Sequence, residues 1–280
     1  VRLREQYQFF HWHLAFPEVF PVPAKGREPE SEALGWSGGF DVVLGNPPWE
    51  RTSFEEIPFF EARDSRIATA PTTAERRRLI ADLRVASAPL YSEFLATKAT
   101  NDAERLLLTG SGRFPLTSVA RADTFALFSE LATQLVSTLG QAGLILPTGI
   151  ATAIPLQEFW NRLFRGKRVR SLSDFENSVP YFPGVDSRKK FCLLTIGRVI
   201  ADAETTFGFF IPEATSTAIC DASFPISAAL MDRINPETGQ PPVVPSIRDL
   251  RLLILIHENA KSNRDSTPGW VGYTSAGTGD

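Results

Sequence analysis

The residues best suited to carry out chemistry stand together in one tetrapeptide, Asn46-Pro47-Pro48-Trp49. The Asn46 side-chain oxygen and the Pro47 carbonyl can both accept hydrogen bonds from one exocyclic amino group, because the prolines lock the turn and offer no competing N–H. Two acceptors aimed at one amino group hold its nitrogen lone pair toward an electrophile. The Trp49 indole adds a flat apolar face on which a planar base can stack. The tetrapeptide therefore suits an amino group carried on a flat ring.

The segment before the tetrapeptide predicts the element that presents it. Asp41 to Leu44 is apolar, β-branched and too short for a helix, and Gly45 releases the chain where the prolines forbid further pairing. The tetrapeptide then lies at the carboxyl end of a strand, where ligands bind in open α/β sheets. An ordinary proline-rich turn after a core strand is the alternative. Phe10 to Phe20 is interpreted as an aromatic strand packed beside this one.

Residues 40–49 resemble the catalytic motif of amino-methyltransferases that use S-adenosylmethionine, and among them the DNA adenine-N6 methyltransferases of the large restriction-modification (type IIG-like) or phage-defence kind. The resemblance implies an α/β, partial Rossmann-like methyltransferase fold, a mixed sheet with an antiparallel edge hairpin. Residues 1–200 would be the C-terminal half of the catalytic domain, and 201–280 part of a target-recognition or linker region. The catalytic residues would then be Asn46, Pro47, Pro48 and Trp49. The reaction would be methylation of adenine N6 in duplex DNA after base flipping.

A helix, turn and strand after the motif extend the resemblance. An apolar helix pattern runs from Arg121, Gly140 is expected to end it, and Gly143 opens a strand that Pro147 closes. In the family, an aromatic residue of this helix packs against the adenine of the cofactor. Phe128 occupies the matching position, and a core-facing phenylalanine is the alternative interpretation.

The segment from Tyr181 to Lys190 joins two predicted antiparallel strands, 169–175 and 191–197. An exposed Tyr-Phe-Pro is costly in water and is seldom chosen for a simple turn. The resemblance assigns Phe182 to the opposite face of the flipped adenine, with Tyr181 as the second choice. Arg188 and Lys189 would lie close to the DNA backbone. A hydrophobic plug under the loop is the competing explanation.

Charge and cysteine content narrow the class of protein. The 280 residues have a net charge of -3 and a pI of about 5.8, so no strongly basic surface is available to mark nucleic-acid binding. Cys192 and Cys220 offer neither a disulfide framework nor metal-ligand spacing, and we expect no metal site. The absence of a signal peptide or membrane-spanning apolar run in the sequence predicts a soluble cytoplasmic protein.

The family binds the methionine part of S-adenosylmethionine at a glycine-rich turn that precedes the catalytic strand. Too few residues precede Asn46 to contain that half of the domain. We therefore expect a fragment, completed by a missing N-terminal part of the same protein and inactive alone. Two alternatives stay open: a truncated remnant that at most binds DNA, and an amino-methyltransferase acting on RNA or protein glutamine.

Overall fold

A six-stranded mixed sheet organises the chain in the computed structural model, which describes residues 2–30, 34–119, 123–177, 181–182, 188–199 and 204–266. The strands are β1 (Phe40–Gly45), β2 (Val136–Pro147), β3 (Val169–Phe175), β4 (Phe191–Ile196), β5 (Thr205–Ile211) and β6 (Ser223–Ile226). The helices are α1 (Arg2–Tyr7), α2 (Trp12–Ala15), α3 (Glu56–Glu61), α4 (Ser65–Ala68), α5 (Thr73–Ala86), α6 (Ala88–Gly110), α7 (Thr124–Leu135), α8 (Gly149–Thr152), α9 (Gln157–Arg165), α10 (Ser216–Ala222), α11 (Ala228–Ile234) and α12 (Ile247–Ser266).

The strand order is β1-β2-β4-β3-β5-β6. The pairs β1/β2 and β3/β5 are parallel, whereas β2/β4, β3/β4 and β5/β6 are antiparallel. These pairings make β1, β2, β3 and β5 run in one direction, so their carboxyl ends meet at the same edge of the sheet. We call this edge the carboxyl edge. Side chains that follow any of these four strands are brought together there.

Both faces of the central strands are apolar, which explains why helices cover the sheet. Along β2, Leu144 and Leu146 enter the main core, whereas Ile145 packs in a smaller cluster on the opposite face. Helix α9 contributes Phe159 and Trp160 to the main core. A separate cluster is formed by residues of α3 to α6: Phe59, Phe60, Ile67, Ile80, Leu83 and Phe94.

The predicted fold class is confirmed: the structure is a mixed α/β sheet consistent with a methyltransferase-like fold, and β3 and β4 form the expected antiparallel pair. The position of this hairpin differs in detail, because β5 and β6 continue the sheet beyond β3. The sheet therefore extends past residue 200, and the division into a catalytic part and a recognition part at that residue stays a prediction.

The boundary between α7 and β2 was predicted wrongly. The helix ends at Leu135 and the strand begins at Val136, so Gly140 lies inside β2 and does not end the helix. A Cβ atom at Gly140 would lie 2.6 Å from the Phe40 carbonyl oxygen, which shows that the glycine permits close approach of β1. The predicted helix start at Arg121 lies outside the described residues.

The aromatic segment before β1 is not the predicted strand. It forms α2 and a series of turns, although it does pack beside β1 as expected. The Trp12 and Phe20 rings contact the Phe40 ring edge-on, with centroids 5.8 and 5.0 Å away. Trp12 and Phe20 therefore pack against the beginning of β1 through their side chains, and their segment adds no strand to the sheet.

Strand β1 lies at the end of the sheet, and within the described residues it pairs only with β2. Its apolar side chains Val42 and Leu44 are 62% and 79% exposed. The strand that leads into the tetrapeptide thus has one unpaired side that is bordered by apolar surface. None of the helices in the described part of the chain has the length and apolar content needed to cross a membrane.

Candidate active site

The tetrapeptide follows β1 directly and lies at the carboxyl edge, as predicted. Pro47 is buried and Trp49 is half-buried, whereas Asn46 is exposed. No hydrogen bond between described residues uses the Asn46 side chain, so its amide oxygen is available to a ligand. A rigid, buried proline beside an exposed amide is the arrangement expected when the amide serves recognition and the proline fixes the backbone.

Thr124, the first residue of α7, holds the end of the tetrapeptide. Its hydroxyl lies 2.7 Å from the Pro48 carbonyl oxygen and 3.0 Å from the Glu50 carbonyl oxygen, and either can accept its hydrogen. The same hydroxyl accepts a hydrogen bond of 3.0 Å from the Glu50 N–H. The Thr124 N–H in turn donates to the Glu50 carbonyl over 3.0 Å. The Pro48 carbonyl is thereby occupied inside the protein.

Trp49 and Phe182 are brought together although 133 positions separate them in the sequence. Their ring centroids are 5.1 Å apart and their planes meet at 60°. The Trp49 indole N–H is buried and has no hydrogen-bond partner among the described residues. The two aromatic residues predicted to flank a base are therefore neighbours at the carboxyl edge.

Phe191, the first residue of β4, supports both aromatic residues of the preceding segment. Its ring centroid lies 5.1 Å from that of Phe182 and 5.7 Å from that of Tyr181, with both pairs edge-on. The Tyr181 hydroxyl also accepts a hydrogen bond of 3.0 Å from the Ala214 N–H. Because Tyr181 is tied to Ala214 and Phe182 contacts Trp49, Phe182 is the better candidate for contact with a base.

Phe128 lies on α7, one helical turn after Thr124. Residues four apart share one face of a helix, so Phe128 and the Thr124 hydroxyl that holds the tetrapeptide lie on the same side. The Phe128 ring is 46% exposed, which does not match the alternative of a core-facing phenylalanine. An accessible aromatic ring beside the tetrapeptide suits a contact with a planar ligand.

The two cationic residues assigned to DNA, Arg188 and Lys189, are both exposed and immediately precede β4. They lie in the segment that leads to Phe191, and thus next to the residue that supports Phe182. Their role in DNA contact stays a prediction. Within the described ranges, no three His, Cys, Asp or Glu side chains form a group that could hold a metal ion.

A polar cluster at the carboxyl edge was missed by the sequence reasoning. Asp174 is fully buried near the end of β3, and its carboxylate accepts hydrogen bonds from the Thr148 hydroxyl at 2.5 Å and the Phe210 N–H at 3.3 Å. The Lys190 ammonium lies 3.8 Å from the same carboxylate oxygen that accepts from the Phe210 N–H. Burial raises the pKa of Asp174 above its usual value, against these hydrogen bonds and Lys190, which lower it.

Two signals in the sequence could have revealed this cluster. Asp174 is an acidic residue inside an otherwise buried strand, where an unpaired carboxylate would be strongly disfavoured. Thr148 directly follows Pro147, the last residue of β2, and so had to lie at the carboxyl edge. Phe210 carried no such signal, because its positive φ of 58° is a property of the backbone.

These features define an open mixed α/β sheet whose carboxyl edge holds an amide, two neighbouring aromatic rings and a buried acid. Residues 2–71, a quarter of the chain, match the family model described as the Eco57I restriction-modification methylase. This span includes β1 and the complete Asn46–Trp49 tetrapeptide. The chain matches no curated protein.

Solved structures similar to this chain include two Type ISP restriction-modification enzymes and one further protein–DNA complex. The first is a nuclease-deletion mutant of the Type ISP restriction-modification enzyme LlaGI in complex with a DNA substrate mimic, at 11% identity, covering 68% of this chain and 17% of that one, with a TM-score of 0.34. The DrdV-DNA complex is 10% identical, with coverages of 64% and 15% and a TM-score of 0.33. The ATP-dependent Type ISP enzyme LlaBIII bound to DNA is 10% identical, with coverages of 67% and 12% and a TM-score of 0.34.

This chain spans less than a fifth of the length of each of these structures.

Proposed function

We propose that this chain carries the substrate side of a DNA methyltransferase site, which transfers a methyl group from S-adenosylmethionine to N6 of adenine in duplex DNA. The biological setting would be a restriction-modification or phage-defence system. The observation that carries the proposal is the exposed Asn46 amide at the carboxyl end of β1, which has no hydrogen-bond partner among the described residues and is followed by Trp49 with Phe182 beside it. The match to a restriction-modification methylase family over this segment supports it.

Each residue of the site has a distinct task in this proposal. The Asn46 amide oxygen and the Pro47 carbonyl accept the two hydrogens of the adenine amino group and orient its nitrogen lone pair. Pro48 keeps the turn rigid, while its own carbonyl is held by Thr124. Trp49 and Phe182 stack on the base once it has left the duplex. No covalent enzyme nucleophile would be needed, because the amino nitrogen would take the methyl group directly as the methyl–sulfur bond breaks; S-adenosylhomocysteine would leave, and the nitrogen would release one proton to solvent.

The cofactor side of the site is supplied only in part by this chain. When bound, S-adenosylmethionine supplies an electrophilic methyl group. The exposed Phe128 ring, on the side of α7 that contacts the tetrapeptide, is suited to pack against its adenine. We propose that the remaining contacts come from a further, N-terminal segment of the same protein, which would add to the unpaired side of β1. The exposed Val42 and Leu44 would be covered by that addition.

Duplex DNA is the proposed partner. Arg188 and Lys189 are placed to contact phosphates near the base bound by Phe182, although the net charge of -3 gives the chain no general attraction to DNA. Sequence recognition would then depend on residues outside this site, among which we include part of the segment after residue 200. A protein of this kind would act in the cytoplasm.

The test uses the intact protein that carries this chain, incubated with S-adenosylmethionine and genomic DNA from cells lacking it. Methylated bases are then identified by mass spectrometry of the digested DNA. We expect N6-methyladenine from the wild type and at least a hundredfold less from Asn46→Ala, since the loss of positioning at the reacting atom lowers rates by about that factor. Asn259→Ala, an exposed asparagine of α12, is the matched control and should retain full activity.

Three outcomes would overturn the proposal in different ways. Full activity of Asn46→Ala would remove the assigned role of the tetrapeptide. Methylation of RNA or protein glutamine, with DNA unmodified, would identify a different amino-methyltransferase. A wild type that binds DNA without methylating any of these substrates would identify an inactive remnant.

A further inference from the structure

We propose that Asp174 and Lys190 form a positioning pair that fixes Phe191, and through Phe191 sets the position of Phe182 beside Trp49. This inference deepens the proposed function and rests on it where methyl transfer is concerned. Neither residue touches the substrate in this proposal. They act on the side chain that would stack on the base.

Asp174 is held by hydrogen bonds from two other segments of the chain. Its side chain has no exposed surface, and its two oxygens are engaged by different elements. The Thr148 hydroxyl after β2 donates to one oxygen over 2.5 Å, and the Phe210 N–H of β5 donates to the other over 3.3 Å. Asp174 thus ties together the ends of three strands that meet at the carboxyl edge.

Lys190, which directly precedes Phe191, is fixed through both its side chain and its backbone. Its ammonium lies 3.8 Å from the Asp174 carboxylate and 3.8 Å from that of Glu176, and it sits 3.7 Å above the centre of the Phe210 ring. Its backbone carbonyl accepts a hydrogen bond of 3.4 Å from the Thr148 N–H. Both the side chain and the backbone of Lys190 are therefore fixed at the position where β4 begins.

Phe210 shows that the contact with Lys190 is maintained despite an unfavourable backbone conformation. Its φ of 58° lies in the left-handed region, which bulky side chains rarely adopt. This conformation accompanies the donation of the Phe210 N–H to Asp174 and the placement of its ring under the ammonium. Strain of this kind persists only where the surrounding contacts hold it in place.

Ring contacts of Phe191, which directly follows Lys190, extend to the proposed base site. Phe191 pairs with Phe175 in the sheet and stacks on its ring at 5.2 Å. The Phe191 ring also contacts that of Phe182 edge-on, and Phe182 in turn contacts Trp49. A shift in the start of β4 would therefore move Phe182 relative to Trp49. The Asp174–Lys190 pair is a charged contact that opposes such a shift, beside the Lys190–Glu176 contact at the same distance.

The direct test follows Phe182 by fluorine NMR, with fluorophenylalanine incorporated at position 182 of the full chain. We expect one dominant resonance in the wild type. In Lys190→Met the population of a second resonance should rise about tenfold, because the ion pair and the ammonium–ring contact are both lost. Lys190→Arg should restore most of the wild-type spectrum. Lys25→Met, which replaces an exposed lysine before β1, is the control and should leave the spectrum unchanged.

An unchanged spectrum in Lys190→Met would overturn the inference. Asp174→Asn adds a second, independent variant, because an asparagine can accept from the Phe210 N–H and donate to the Thr148 hydroxyl while lacking charge. We expect it to raise the population of the same second resonance as Lys190→Met. If the two variants changed the population of this resonance in opposite directions, or if Asp174→Asn left it unchanged, Asp174 and Lys190 would not act as one pair.

The functional arm measures methyl transfer by the intact protein. Lys190→Met should lower kcat about tenfold with little change in KM for DNA, since a displaced Phe182 affects the flipped base more than the encounter with the duplex. An unchanged kcat would overturn the positioning role even if the spectrum changes. If the wild type does not methylate DNA, the proposed function fails, and the fluorine spectra still decide whether the pair positions Phe182.

Discussion

Trp49 and Phe182 touch edge to face, with ring centroids 5.1 Å apart and planes at 60°. A planar base held between two aromatic faces keeps about 3.5 Å from each, so the faces must stand about 7 Å apart and roughly parallel. The observed contact fills the space that a base would take. In the proposed mechanism, the Phe182 ring must therefore swing aside to admit the base, while its backbone keeps the position set by Phe191 and Trp49 stays anchored in the tetrapeptide.

Removal of the Phe182 ring tests this relationship. In the intact protein, Phe182→Ala should lower kcat/KM for methyl transfer by about 10- to 100-fold, because stacking of one base on an aromatic side chain is worth about 1–3 kcal/mol. The measurement is steady-state methylation of DNA. Phe9→Ala, an exposed phenylalanine near the beginning of the chain, provides the matched control. Equal losses in the two variants would argue that Phe182 has no specific contact with the base.

The hydroxyl of Thr124 links α7 to the tetrapeptide, which leads to a second prediction. Thr124→Val keeps the shape of the side chain but loses the hydrogen bonds to Pro48 and Glu50, so the free energy of unfolding should fall by about 1 kcal/mol. Methylation should fall about tenfold through kcat, since the tetrapeptide is then held less firmly.

The control for Thr124→Val lies in the same helix. Thr133→Val removes a hydroxyl that bonds the Glu130 carbonyl of α7 itself, and it should not affect kcat. Urea unfolding gives the stability of both variants, and single-turnover methylation gives their rates. A loss of kcat in Thr133→Val as large as in Thr124→Val would contradict a specific link to the tetrapeptide.

The raised pKa of Asp174 predicts how stability depends on pH. At pH values just above the usual Asp pKa, the folded protein keeps a proton on Asp174 that the unfolded chain has lost. The folded state then binds more protons, so this residue makes the free energy of unfolding fall as pH rises through the window between the two pKa values. Above that window its contribution is constant.

Asp174→Asn should remove this contribution. Unfolding by urea, measured between about pH 4 and 7, should show a difference between wild type and Asp174→Asn that changes by up to about 1.4 kcal/mol per pH unit inside the window. Asp82→Asn, on the exposed surface of α5, controls for the substitution itself. If the wild-type and Asp174→Asn curves run parallel across the whole range, Asp174 does not titrate as inferred.

Elements marked by local sequence signals were predicted well. The apolar run before Asn46 predicted β1, and the strands 169–175 and 191–196 were found within a residue of their expected bounds. The tetrapeptide lies at the carboxyl edge because parallel strands end there, which the sequence order already implied. Phe182 was connected with Trp49 only through the family resemblance, since no local pattern relates residues so distant in the chain.

Features that depend on contacts between distant segments could not be predicted. Gly140 was taken for the end of a helix, a common role for glycine, whereas its position is fixed by the Phe40 carbonyl. Packing between distant segments likewise produces the hydrogen bond from Thr124 to Pro48, the hydrogen bonds to Asp174 and the left-handed backbone of Phe210. Thr124 and Phe210 are ordinary in their own sequence surroundings, and the sequence marks Asp174 as an acid in a buried strand without revealing Phe210 as its partner.

The six residues of β1 also have a practical consequence for handling the protein. Among the described residues, one edge of β1 is unpaired beside exposed Val42 and Leu44. Such an edge can template pairing with another chain, and no lysine or proline within the strand discourages it. In concentrated solutions of this chain alone, we expect aggregation to begin at this strand. Conditions that keep the sample monodisperse would then be the same conditions that keep Asn46 accessible.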